Sequence, residues 1–318
     1  MLTYVEPSTQ AGSPIARSLD FGQETKPLNV LDLVKLTPLM ELTSGRSEIV
    51  IGLVDGPVVI GHPDLAGENV REIPGRIGGA CAQAGSLACM HGTFVAGILC
   101  AKRSSAAPAI CPACTLLVRP IFSETPTANE LIPSATPEEL AAAIIECIDS
   151  GARLVNLSAA LAQVPSAKDE RALGQALDYA ANRGVIVVVA AGNQGTVGST
   201  AITRHPWVIA VIACDRRGRP LSESNFGNSI GRRGLSAPGE GITSLGTDSK
   251  AVPSGGTSVA APFVTGAIAL VWSEFPDASA GQIKLAVTKA HAQRRPTVVP
   301  ALLNAWAMYT AMPEFRSM

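Results

Sequence analysis

The sequence predicts an α/β protein: a doubly wound, mainly parallel sheet flanked by helices. Three observations carry this expectation. Short apolar runs recur at residues 49–55, 115–121, 152–157, 185–191 and 207–213, and none alternates with polar residues. Strands buried on both faces read this way, and such strands belong to parallel sheets. Helical patterns lie between the runs, which is the alternation a parallel sheet needs. Finally, the chain is 47% hydrophobic but only 4% aromatic. Its core must therefore be built from Ala, Val, Ile and Leu, which suit a sheet covered by helices.

The elements follow in order. Residues 1–27 are rich in Pro, Ser, Thr and Gly and are expected to form a loosely ordered arm. Residues 28–318 are expected to form one domain. Residues 28–44 have helical apolar spacing interrupted by Pro38, which predicts two short helices. The run IVIGLVD ends in Asp55, and HGTFVAGIL predicts a helix from His91 to Lys102. In TPEELAAAIIECIDSG, Thr136 is a candidate N-cap, with Pro137 at the first helical position and Glu139 completing a capping box. Gly151 would close that helix, and Gly184 a second one over 168–183. Further helices are expected at 258–275, 279–291 and about 300–311.

Charge and composition exclude several classes. With 318 residues and a formal net charge of -1, no global field would attract nucleic acid or an anionic membrane. Arg216, Arg217 and Arg219, and Arg232 with Arg233, read as solvated loop charges. There is no signal-like start and no run long enough to span a membrane, so a soluble cytoplasmic protein is expected. Seven cysteines read as thiols in a reducing compartment, with a local disulfide at Cys81 and Cys89 or at Cys111 and Cys114 as the alternative. A single CxxC without a second pair is a weak metal signal. No HExxH is present, and neither a metal nor a cofactor is expected.

Four segments carry chemistry. Asp55 ends a buried strand, with Gly56 permitting a sharp turn. His91 stands at a helix start. Asn193 lies between glycines at the end of VVVAAGNQG, and Ser258 begins a helix after two glycines in GGTSVAAPFVTG. Each alone has a structural reading, as a turn, a cap or a carbonyl partner. Together they fall at element ends, where an α/β sheet gathers its active site.

The segments HGTxVAG and GTSxAAPxVTG resemble those of the subtilisin family, and the resemblance covers roughly residues 47–290. The order Asp, His, Ser is the one found in subtilisin. The resemblance implies a serine endopeptidase with Asp55, His91 and Ser258 as the triad and Asn193 in the oxyanion hole. It further implies that Leu157, Ser158, Ala159 and Ala160 pair with an extended substrate, over a pocket floored by Ala190, Ala191 and Gly192. The family usually has glycine where Ala160 stands, so a preference for smaller side chains is expected there. Phe94 replaces a second His found in many subtilisins. The loop after the His helix lacks the Asn-rich calcium segment, and Asp64 alone is not a cage.

A narrower resemblance links VLDLVKLTPLMELTSG, CPACTLLVRPIF and TPEELAAAIIECIDSGARLVNLSAA to the proteases that mature cyanobactins and similar ribosomally made peptides. It implies a precursor peptide as substrate. The Gly-rich stretch 56–90 leaves no room for the helical cap of the cyclising members, which favours hydrolysis. A general intracellular subtilisin and a catalytically inactive peptide-binding module are the competing readings.

Overall fold

The structure, a computed structural model, describes residues 2–3, 29–65, 69–75, 81–125, 134–161, 166–291 and 297–315. The arm expected at 1–27 lies outside these residues apart from Leu2 and Thr3. Along the chain come β1 (Leu2–Thr3), α1 (Val30–Leu33), α2 (Thr37–Leu42), β2 (Val50–Asp55), β3 (Val70–Glu72) and α3 (Leu87–Cys100). Next are β4 (Thr115–Pro120), β5 (Ser134–Ala135), α4 (Pro137–Asp149), β6 (Leu154–Leu157) and β7 (Ala160–Leu161). Then follow α5 (Ala167–Asn182), β8 (Ile186–Ala190), α6 (Ala201–Arg204), β9 (Val208–Cys214) and α7 (Asn228–Arg233). The remainder is β10 (Leu235–Pro238), β11 (Ile242–Leu245), β12 (Ala251–Ser254), α8 (Thr257–Glu274), α9 (Ala280–Ala290), β13 (Ala301–Leu302) and α10 (Ala305–Ala311).

Eight strands form one sheet in the order β13-β10-β9-β8-β6-β2-β4-β3. Every pairing in it is parallel. The five apolar runs are five consecutive inner strands of it, β9, β8, β6, β2 and β4. Alternate side chains serve opposite faces, as the period of two requires. Ile51 and Leu53 join the core that holds α3 and α8, while Val54 joins the core under α4 and α5. Ile186 and Val188 likewise oppose Val187 and Val189. Two apolar layers on one parallel sheet explain why the runs show no polar alternation.

The helix ends follow local chemistry. Thr136 caps α4 by accepting from the Glu139 amide at 3.1 Å. The expected capping box is only half formed, because the Glu139 carboxylate turns instead to the buried Arg119 guanidinium at 2.7 Å. Arg119 also pairs with Glu146 and donates to the Pro120 carbonyl. A buried cation requires such partners, and they account for an arginine inside an apolar strand. Gly151 and Gly184 follow α4 and α5 with φ of 91° and 67°, as closing glycines. Arg232 and Arg233 end the short helix α7 rather than sitting in a loop, and Arg219 is paired with Asp215 at 2.7 Å.

Cys81 and Cys89 form a disulfide with Cα atoms 5.7 Å apart, so these two are not the thiols expected first. The other five cysteines are free and buried. Among the described residues, no helix is long and apolar enough to cross a membrane.

Candidate active site

Asp55, the last residue of β2, stands at the carboxyl edge of the sheet beside the ends of β6 and β8. Its carboxylate is fully buried, and Oδ1 accepts from the Gly56 amide at 2.6 Å. The chain then turns under α3. A Cβ added to Gly56 would collide with the Ala88 carbonyl, and one added to Gly92 would strike the Gly56 and Pro57 carbonyls. Only bare backbone lets the helix approach this closely. The Thr93 hydroxyl accepts from the Val59 amide at 3.1 Å and fixes the same contact.

That approach brings His91 onto Asp55, with Nδ1 and Oδ1 2.7 Å apart and the imidazole only 3% exposed. His91 lies one turn inside α3, not at its start. Ser86 caps the helix earlier by accepting from the Cys89 amide at 3.2 Å. The Cys81–Cys89 bond fastens this first turn to the preceding loop.

Ser258 sits in the first turn of α8, 1% exposed. Gly256 precedes it with φ of 109°, in the region that favours glycine. A Cβ there would meet the Asn193 side chain amide. Asn193 Oδ1 accepts from the Thr257 amide at 3.0 Å, while the Thr257 hydroxyl accepts from the Gly192 amide at 3.1 Å. These two bonds lock the Asn193 turn to the Ser258 turn. They also commit the oxygen of the Asn193 side chain, leaving its NH2 as the end available to donate.

A second buried network holds Ser258 from below. Pro262 interrupts α8 and has no amide hydrogen for the Ser258 carbonyl four residues back. The Ser158 hydroxyl supplies a donor at 3.2 Å. Ser158 in turn accepts from Asn156 Nδ2 at 2.8 Å, and Asn156 Oδ1 accepts from the Thr265 hydroxyl at 2.7 Å. The Asn156, Ser158 and Thr265 side chains are buried, and each satisfies the next. Motif reading missed Asn156 and Thr265, although both lie inside quoted segments, LVNLSAA and PFVTG. Asn225 was missed as well. Its side chain amide donates to the Ala191 carbonyl at 3.1 Å, and its Oδ1 accepts from the Gln194 and Thr196 amides at 3.1 Å. It thereby braces the turn carrying Asn193.

The expected substrate-binding residues fall around this centre. Leu157 ends β6, and Ser158 and Ala159 follow it with buried side chains. They therefore have main chain rather than side chain to offer a ligand. Ala160 opens β7. Ala190 and Ala191 are 2% and 3% exposed at the end of β8, and Gly192 adopts φ of 103°. Two of the buried thiols, Cys147 and Cys111, are held in the protonated form. Burial pushes the Cys147 thiol up to about 12. Hydrogen bonding with Cys100 and Cys114, then burial, holds Cys111 well above its ordinary range.

A buried carboxylate–imidazole pair, and a serine in the first turn of a helix further along the chain, follow the Asp, His, Ser order of subtilisin-type serine hydrolases. The chain belongs to the subtilase family, Peptidase_S8, which it matches over residues 46–304. It is 32% identical over 244 residues to the thermophilic serine proteinase of Bacillus sp. (strain AK1), covering 74% of this chain and 54% of that protein. It is 30% identical to thermitase of Thermoactinomyces vulgaris, covering 72% of this chain and 76% of that one. The chain spans about half the length of several curated relatives it matches. Among solved structures, a mutant protease domain of PatA superposes with a TM-score of 0.76 at 26% identity, covering 86% of this chain and 98% of that one. The prenylagaramide maturation protease PagA gives 0.74 at 25% identity, covering 87% and 98%. The subtilisin-like fold and the likeness to cyanobactin maturation proteases thus both hold.

Proposed function

We propose that the chain is a serine endopeptidase in which Ser258 is the nucleophile, His91 the general base and Asp55 its orienting carboxylate. The 2.7 Å contact between His91 Nδ1 and Asp55 Oδ1 carries this reading. With Nδ1–H donated to a buried carboxylate, the imidazole keeps its proton there and offers Nε2 as the basic atom. His91 takes the Ser258 hydroxyl proton as Oγ attacks the substrate carbonyl, and returns it to the leaving amine. Asp55 stabilises the imidazolium formed between those steps. The oxyanion receives the Asn193 NH2 and the Ser258 backbone amide, one of the first-turn amides a helix leaves without an internal acceptor. Water then releases the acyl group by the same route in reverse.

The substrate in this proposal is an extended peptide paired to the Leu157–Ala160 main chain, and its natural form is a ribosomally made precursor cut hydrolytically. The likeness to PatA and PagA supports that class. The cytoplasm is the proposed place of action; the Cys81–Cys89 bond is the feature that pulls against it. Incubation with a precursor peptide and with casein tests the reading. Cleavage of the precursor at one site with casein intact is expected. Equal digestion of both makes the chain a general subtilisin. Cleavage of neither, or cleavage that survives Ser258→Ala, overturns the assignment.

A further inference from the structure

Asn193 stands between β8 and α6 in a stretch that no helix or main-sheet ladder holds. Residues 194–199 are exposed, and Gly192 and Gly195 take φ of 103° and 62°. An oxyanion donor nevertheless has to lie about 2.7–3.1 Å from the developing charge. Something outside the stretch must therefore fix it.

The segment 223–226, which follows β9, does so. Ser224 is fully buried, and its hydroxyl accepts from the Ala213 amide at 3.1 Å. The segment thus hangs from the end of β9, the strand next to β8. Three main-chain bonds of 2.8 Å join it to the Asn193 turn. The Asn225 amide donates to the Gly192 carbonyl, the Gly195 amide to the Glu223 carbonyl, and the Phe226 amide to the Thr196 carbonyl.

The Asn225 side chain fills the space between them. Its Oδ1 accepts from the Gln194 and Thr196 amides at 3.1 Å and from the Thr196 hydroxyl at 3.0 Å. Its Nδ2 donates to the Ala191 carbonyl at 3.1 Å and to Gln194 Oε1 at 2.6 Å. Both hydrogens and the oxygen are used, so the group has nothing left for a substrate. Backbone amides can only donate, which fixes the atom they face as the oxygen. Asn225 therefore grips the chain on both sides of Asn193. On the other flank, the Thr257 amide holds the oxygen of the Asn193 side chain. One anchor sets the main chain of Asn193, the other sets its side chain, and together they aim the NH2.

We propose that Asn225 is a positioning residue for the oxyanion hole: its side chain amide holds turn 191–196 so that the Asn193 NH2 meets the oxyanion. The proposal rests on the peptidase reading, and Asn225 acts in it only through Asn193. A donor displaced by an ångström serves the transition state poorly and leaves ground-state binding of an extended peptide untouched.

The test is a double-mutant cycle of Asn225→Ala and Asn193→Ala, read as hydrolysis of a short chromogenic peptide. Asn225→Ala should lower kcat by about 10–100-fold with KM within about twofold. It should weaken binding of a peptide boronic acid, whose tetrahedral adduct places an oxygen in the hole, by a similar factor. In the Asn193→Ala background the same substitution should change kcat by less than about threefold, because the group it positions is gone. A merely structural role lowers kcat equally in both backgrounds. That equal fall, or a kcat within about threefold of the unsubstituted chain, overturns the proposal and leaves the peptidase reading standing. If Asn225→Ala does not fold, Asn225→Ser, which keeps an acceptor oxygen, goes through the same cycle under the same criteria. If the unsubstituted chain neither hydrolyses the peptide nor takes up the boronic acid, the peptidase reading fails, and the positioning role fails with it.

Discussion

Replacing Ser158 with alanine removes one hydroxyl that serves two buried partners. Asn156 Nδ2, now 2.8 Å from it, loses an acceptor, and the Ser258 carbonyl, 3.2 Å away, loses a donor that Pro262 cannot replace. Ser158 and Asn156 are fully buried and Ser258 is 1% exposed, so bulk water does not compensate. Each buried group left unpaired costs about 1–3 kcal/mol, which puts the loss at roughly 2–6 kcal/mol. Against a total stability of about 5–15 kcal/mol that is a large fraction. Urea unfolding in a Ser258→Ala background, where self-digestion is absent, measures it. Thr265→Val, which removes the 2.7 Å bond to Asn156 Oδ1, should cost less. The double variant should lose less than the sum of the two, because both act through Asn156. In the active chain kcat should fall more than KM rises. A loss below about 0.5 kcal/mol, or strict additivity, would refute the claim that this network anchors the serine turn.

Three further outcomes follow from the site and its surroundings. Asn193→Ala should lower kcat by about 10²–10³ with little change in KM; that magnitude belongs to a relative, subtilisin, and a loss under tenfold in steady-state kinetics would remove Asn193 from the oxyanion hole. Gly256→Ala should both slow turnover by at least about tenfold and cost about 1–3 kcal/mol, because φ is 109° and the new methyl group meets the Asn193 amide; wild-type rates would contradict this. Burial lowers the His291 pKa, while its Nδ1–H donates to the Val287 carbonyl and its Nε2 accepts from the Asn304 amide, each at 2.7 Å. The unfolded chain then binds the proton more readily than the folded one, so stability should be level above about pH 6.5 and decline as pH drops from there through the folded-state pKa. Melting temperatures at a series of pH values should show that decline, and His291→Gln should flatten it.

The legible parts of the sequence were those governed by local chemistry or by burial on both faces. The five apolar runs are the five central strands because a parallel sheet between two helical layers leaves no face for polar residues. Thr136, Pro137 and Gly151 placed α4 within a residue because caps act over a single turn. Strands β3, β10 and β13 were not read. They sit toward the sheet edges, run two to four residues and include polar positions such as Arg71 and Ser236. Asp55, His91, Asn193 and Ser258 were singled out through the segments they lie in, those of His91 and Ser258 being the longest. The network behind them was not, because Asn156 and Thr265 lie 109 residues apart and each alone looks like an ordinary core polar residue. The disulfide stayed open for a similar reason: a spacing of eight residues permits the bond and does not demand it. Nothing local marks Leu2–Thr3 as a strand, since its partners are supplied by β5 and β7.

The central claim is that Ser258 is a nucleophile activated by His91 and Asp55. Treatment with a fluorophosphonate, followed by peptide mapping in a mass spectrometer, tests it most directly. The account predicts a single adduct on Ser258, absent in Ser258→Ala and slowed by at least about a thousandfold in His91→Ala, in keeping with the weight of an activating base. An unlabelled Ser258 in the folded chain, or labelling that proceeds equally fast without the imidazole, would contradict it.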